Sequence, residues 1–132
     1  MSEDVGRLVL RLTVGGLLLF HGIHKLLSGL GDVRHLLAAH GAPELLAYGA
    51  YVGEIAAPLL ILFGLFARLG GGLVVVNMIV AVALAGGTRL LVLNGQGGYA
   101  LELEAFFLFG GLAIALLGAG RLSIGGADGQ LN

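Results

Sequence analysis

Apolar residues dominate four stretches of the chain, at about 5–27, 45–66, 69–85 and 100–117, and polar residues gather between them. A bilayer core of about 30 Å is crossed by about 20 mostly apolar helical residues, and each stretch approaches that length. The pattern predicts an all-α fold, an integral membrane four-helix bundle. Only Arg68 with a glycine or two divides the second stretch from the third, which predicts a tight helical hairpin. Between the first two stretches lies "SGLGDVRHLLAAHGAPE". There Asp32 can cap a short helix from Val33 to His40, with Gly41 at its end and Pro43 beyond. Val33, Leu36, Leu37 and His40 form its apolar face. Too short to span, this helix is expected at the membrane interface. "NGQGG", ahead of the fourth stretch, reads as loop. The tail "GGADGQLN", 125–132, reads as polar and disordered. No domain boundary or internal repeat is visible, so 1–132 reads as a single membrane domain.

Composition sharpens this picture. Of the 132 residues 58% are hydrophobic and 11% charged, where soluble domains carry about 25% charged residues. So little polar surface cannot cover a water-soluble core of this size. The lipid bilayer is the expected surrounding. A net charge of −1 without a basic patch excludes nucleic acid as a partner. Cysteine is absent, which excludes disulfides, thiolate metal sites and thiol redox catalysis within the chain. Twenty-five glycines against 2 prolines suit close packing of membrane helices.

Arg7 and Arg11 before an apolar run imitate a signal peptide, but "FHGIHKLL" stands where a small-residue cleavage site belongs. The first helix is expected to be retained. With four spans, Arg7, Arg11, Arg68 and Arg121 share one side, and Lys25, Arg34 and Arg89 the other. The positive-inside rule then places both termini in the cytoplasm of a multi-pass protein of the cell (inner) membrane.

Ionisable residues at membrane depth cost about 2.5–3.5 kcal/mol each and need partners or a purpose. On the first helix Arg11, Leu18, His21, Gly22 and Lys25 fall near one face, with His24 beside them. Arg11 and Lys25 could snorkel to opposite interfaces. Glu54 lies in the middle of the second span and shares a face with Tyr48, Tyr51 and Pro58. Its carboxylate is either protonated or paired with a cation from another helix. His21 and Lys25 are the candidates, and His21 is the closer by depth. Pro58 also frees the Glu54 carbonyl from its helical bond. On the fourth helix Glu102 shares a face with Phe106 and Phe109, while Glu104 points elsewhere. His21, Lys25, Tyr51, Glu54 and Glu102 can thus converge on one polar pocket below the outer surface, or Glu54 and its partner can simply fix helix register. Asn77, central in the third helix, reads as an interhelical hydrogen-bonding residue. All four histidines lie between 21 and 40, and no paired-histidine or Glu-x-x-His metal motif occurs. No metal site and no covalent cofactor is expected.

Together "GIHKL" closing the first helix, Glu54 in the second, "LFGLFAR" entering the hairpin and the terminal "GAGRLSIG" resemble the DoxX family of small four-helix membrane proteins. The resemblance runs from about Arg7 to Ile124. Lys25, Glu54, Arg68 and Arg121 carry over as family positions, and Gly118, Gly120 and Ser123 also match the family's tail. Ala119, Leu122 and Gly125 replace its usual proline, tyrosine and final aspartate. The resemblance implies a membrane subunit linked to redox chemistry, associated with a respiratory or quinone-linked system. The polar pocket then binds a quinone or relays its protons, and other membrane subunits are the expected protein partners. On this reading the chain is a subunit of an oxidoreductase complex rather than an enzyme alone. The alternative is a non-catalytic accessory or assembly subunit. A small transporter or channel is a third option, disfavoured by the lack of inverted repeats.

Overall fold

The computed structural model of the chain describes residues 1–86 and 90–132. It is all-helical, with no β-strand among the described residues. Helix α1, Ser2–Ser28, is 27 residues long, and Glu3 and Asp4 in its first turn and Lys25 in its last suit the helix dipole. Its end is set by Gly29, whose φ of 85° breaks the helix while its N–H still reaches the Lys25 carbonyl at 2.8 Å.

The short helix expected after it exists as α2, Gly31–Ala39, but Leu30 and not Asp32 holds the cap position. The chain re-enters helix almost directly after Gly29, so Asp32 falls inside the first turn and makes no side-chain cap. Leu30 and Leu37 pack there with Ala47, forming a small apolar cluster under α2.

Helix α3 runs continuously over Glu44–Phe63. It opens as a 3₁₀ turn, Glu44–Tyr48, and carries a π-helical turn at Val52–Ala56 before regular α-helix resumes at Ala57. The Ala57 N–H bonds the Val52 carbonyl, five residues back. Pro58 explains the disturbance, because it has no N–H to offer the carbonyl of Glu54. A π turn inserts one extra residue and rotates the helix before it relative to the helix after it.

The hairpin comes earlier in the chain than the spacing predicts. Gly64, at φ 67° and ψ 40°, ends α3 in the left-handed conformation, and Phe66, at φ 51°, precedes α4, Ala67–Ala81. Arg68 therefore belongs to the first turn of α4 and not to the connection. A second π turn, Val82–Gly86, prolongs α4. Arg89 lies outside the described residues. "NGQGG" is loop, as the glycines suggest: Asn94 Oδ1 accepts from the N–H groups of Gln96 and Gly98 at 2.9 and 3.0 Å, below an isolated bridge between Leu93 and Tyr99. Helix α5, Glu102–Leu117, comes next.

The four longer helices close into a ring in which α1 packs on α3, α3 on α4, α4 on α5, and α5 back on α1. Val14 and Leu18 of α1, Ile61 of α3, Val74 of α4, and Phe107 and Ile114 of α5 make the core. Large apolar side chains such as Phe20, Phe106 and Leu116 point outward, each about 70% exposed or more. That is the arrangement expected when the solvent is lipid. Among the described residues α1, α3 and Ala67–Leu84 are long and apolar enough to cross a membrane. At 16 residues α5 reaches only about 24 Å.

The tail is ordered, contrary to expectation. Residues 118–132 fold back across the hairpin end of the bundle. Ile124 and Gly125 donate to the carbonyls of Phe63 and Gly64 at 3.1 and 3.0 Å, and Arg68 N–H donates to the Leu131 carbonyl at 2.9 Å. Asn132 is buried, accepts from Ala67 N–H through Oδ1 at 3.0 Å and donates to the Gly126 carbonyl at 2.6 Å. Polarity suggested disorder, but these polar groups satisfy helix ends that otherwise lack partners.

Candidate functional site

Two polar centres lie at opposite ends of α1. At the α2 end, Lys25 Nζ donates to Glu54 Oε2 in a direct ion pair between α1 and α3. The Glu54 side chain is 7% exposed and that of Lys25 29%. A carboxylate buried to this degree requires such a partner. Glu54 therefore pairs with Lys25, not with His21, and Lys25 turns inward. The Tyr51 hydroxyl donates to the Lys25 carbonyl at 3.5 Å, bringing a third residue of the expected group alongside. Tyr48 stays outside it, half-exposed, with its ring under the Arg34 guanidinium at 5.7 Å.

The backbone is built for this pairing. The Glu54 carbonyl, left without a proline donor, rests against Gly22, where a Cβ would collide with backbone atoms of Glu54 and with the Ile55 side chain at 2.7 Å. Glycine at 22 lets α1 approach the π turn closely, and Lys25 lies about one helical turn further on.

Above the pair opens a cavity of about 630 Å³ between α2, α3 and α4. Val33, Leu36 and Leu37 of α2 form one wall, Val52 and Leu46 of α3 another, and Val76 and Val80 of α4 a third. Lys25, Asp32, Glu54 and Asn77 are its polar lining residues. Leu46, Val52, Val76 and Val80 are also exposed on the outer surface, so the cavity is continuous with the apolar exterior. Asn77 lies against Gly53 instead of hydrogen-bonding across to a neighbouring helix.

Not every expected residue joins this site. His21 packs edge-on against Phe107 of α5, ring centroids 5.7 Å apart at 86°. It faces the α1–α5 contact and is exposed, as is His24. Glu102 is exposed at the start of α5 beside Gly98, and Phe106 and Phe109 share its outward face. One lateral face of α5 was readable from the sequence, but not whether it turned in or out. Among the described residues no three His, Asp or Glu side chains gather as a metal-binding group.

The second polar centre was missed. Arg11 is 1% exposed and does not snorkel. Its Nε donates to the Ile61 carbonyl at 2.9 Å, one terminal nitrogen to Ala119 and Leu122 at 3.0 and 2.9 Å, and the other to Leu62 at 3.1 Å. A planar guanidinium can bridge several carbonyls in this way while an ammonium cannot. Nearby, Arg68 donates to the Ala115 and Leu116 carbonyls at 3.0 and 2.6 Å, closing the C-terminal end of α5. Asp4 accepts from Arg121 N–H at 3.1 Å, and Ser123 Oγ donates to the Gly120 carbonyl at 2.6 Å. Every side chain here is tied to backbone and the centre reads as architecture. The one available signal was an arginine within an apolar helix.

A small all-α membrane protein with an ion pair buried between its first two long helices is the class these features define. The DoxX family model matches residues 6–87, from α1 through α4, and the chain belongs to the DoxX family. That stretch contains Lys25, Glu54 and Arg68, whereas the "GAGRLSIG" likeness lies beyond it. Comparison with curated proteins and with solved structures gave no match.

Proposed function

We propose that this DoxX-family membrane protein is a subunit of a quinone-linked or respiratory redox system, and that the α2–α3–α4 cavity receives the quinone headgroup. The observation that carries the reading is an apolar cavity of ligand size with the Lys25–Glu54 pair in its wall. Ligand sites combine apolar walls with a few placed polar groups. A quinone needs such walls for its ring and tail, and it takes up two protons when an electron donor on a partner subunit reduces it. In this reading Lys25 hands a proton to a ring oxygen, and Glu54 takes a replacement proton from water and returns it to Lys25, a relay that serves each of the two protons in turn, with Tyr51 beside them. In this reading both termini, with the Arg11 and Arg68 end of the bundle, face the cytoplasm of the cell membrane.

The test is Glu54→Gln, compared with the unaltered protein in native membranes and in purified form. Loss of quinone-dependent turnover and of co-purified quinone is expected. Unchanged turnover with unchanged quinone content overturns the proposal. A larger complex that persists in the variant and never contains quinone supports an accessory subunit instead.

A further inference from the structure

The polar lining of the cavity extends beyond the ion pair. Leu73, Val76, Asn77, Val80, Ala81 and Leu84 line it from α4, at the three- and four-residue spacing of one helix face. Asn77 is the polar member of that stripe. Its side-chain amide has no hydrogen-bond partner among the described residues, and it is held against Gly53, next in sequence to Glu54, where no Cβ intervenes. The amide is partly exposed towards the cavity and not sealed in the helix packing, so it is available to pair with an occupant of the cavity.

We infer that Asn77 is a second headgroup contact and selects a ring bearing two oxygens, a dione or its hydroquinone, over a lipid with one. This rests on the quinone reading above. Lys25 and Glu54 offer a donor and an acceptor at one position. The amide of Asn77 offers a donor and an acceptor at another, so oxidised and reduced forms both find a match at each end. A single-oxygen head leaves one position empty.

The experiment measures binding of two probes to purified protein in nanodiscs. One is a 1,4-benzoquinone with a short isoprenoid tail, the other a phenol with the same tail and one oxygen. The unaltered protein is expected to prefer the quinone by about tenfold, the worth of one hydrogen bond. Asn77→Leu is expected to weaken the quinone by that factor and leave the phenol unchanged, erasing the preference. Asn77→Ser, smaller and still polar, guards against a folding defect and is expected to keep part of the preference. Equal preference in the unaltered protein and in Asn77→Leu overturns the inference. If Glu54→Gln still abolishes quinone binding, the quinone reading survives that outcome. Absence of quinone binding by the unaltered protein overturns both.

Discussion

Gly22 rests on the backbone carbonyl of Glu54, one helical turn before Lys25 meets the carboxylate of the same residue. Backbone contact and ion pair are parts of one joint between α1 and α3. A methyl at position 22 meets backbone atoms, which cannot rotate away. Gly22→Ala is expected to lower stability by about 2 kcal/mol or more, at the upper part of the overpacking range. Thermal unfolding in mild detergent measures it, and an unchanged midpoint would mean that the helices separate freely there.

The ion pair itself is separable from that contact. Lys25→Met or Glu54→Leu alone strands a buried charge and is expected to cost about 2–3 kcal/mol, less than a fully buried pair because Lys25 is partly exposed. The double variant is expected to recover most of the loss. A double-mutant cycle in which the two single effects simply add contradicts this coupling.

Arg11 holds carbonyls from the end of α3 and from the segment after α5. Arg11→Lys keeps the charge but cannot span four acceptors, so a loss of about 3 kcal/mol or more is expected. The released segment, 118–132, should become sensitive to protease before the helices unfold. Proteolysis that leaves this segment as resistant as before argues against the role given to Arg11.

Asn132 caps α4 from the far end of the chain through the Ala67 N–H. Replacing it with alanine is expected to cost about 1 kcal/mol, as for helix caps generally. Amide exchange should rise first at Ala67 and Arg68. Protection retained at both would show that another group serves as the cap.

The helices, the hairpin and the need of Glu54 for a cationic partner from another helix were legible because apolar runs and rare charges are local properties of the chain. Which cation meets Glu54 was not. The choice depends on how α1 is rotated, and that rotation is set by a glycine contact with a π turn that no regular helical wheel describes. Glu102 failed for a similar reason. Its helix is apolar all round, so spacing alone cannot say which face turns inward. Asn132 and the tail were misread because composition reports the preference of an isolated segment. Here the polar atoms belong to helix ends elsewhere in the chain.

The burial of Arg11 has a consequence for the order in which the molecule is made. Two of the carbonyls it uses, those of Ala119 and Leu122, lie 108 and 111 residues later. Helix α1 therefore enters the membrane with a guanidinium whose full set of acceptors has not yet been synthesised. Until then the charge must stay near water or headgroups. The hairpin end of the bundle can close only once residues 118–132 have been made and pack back on α1 and the hairpin.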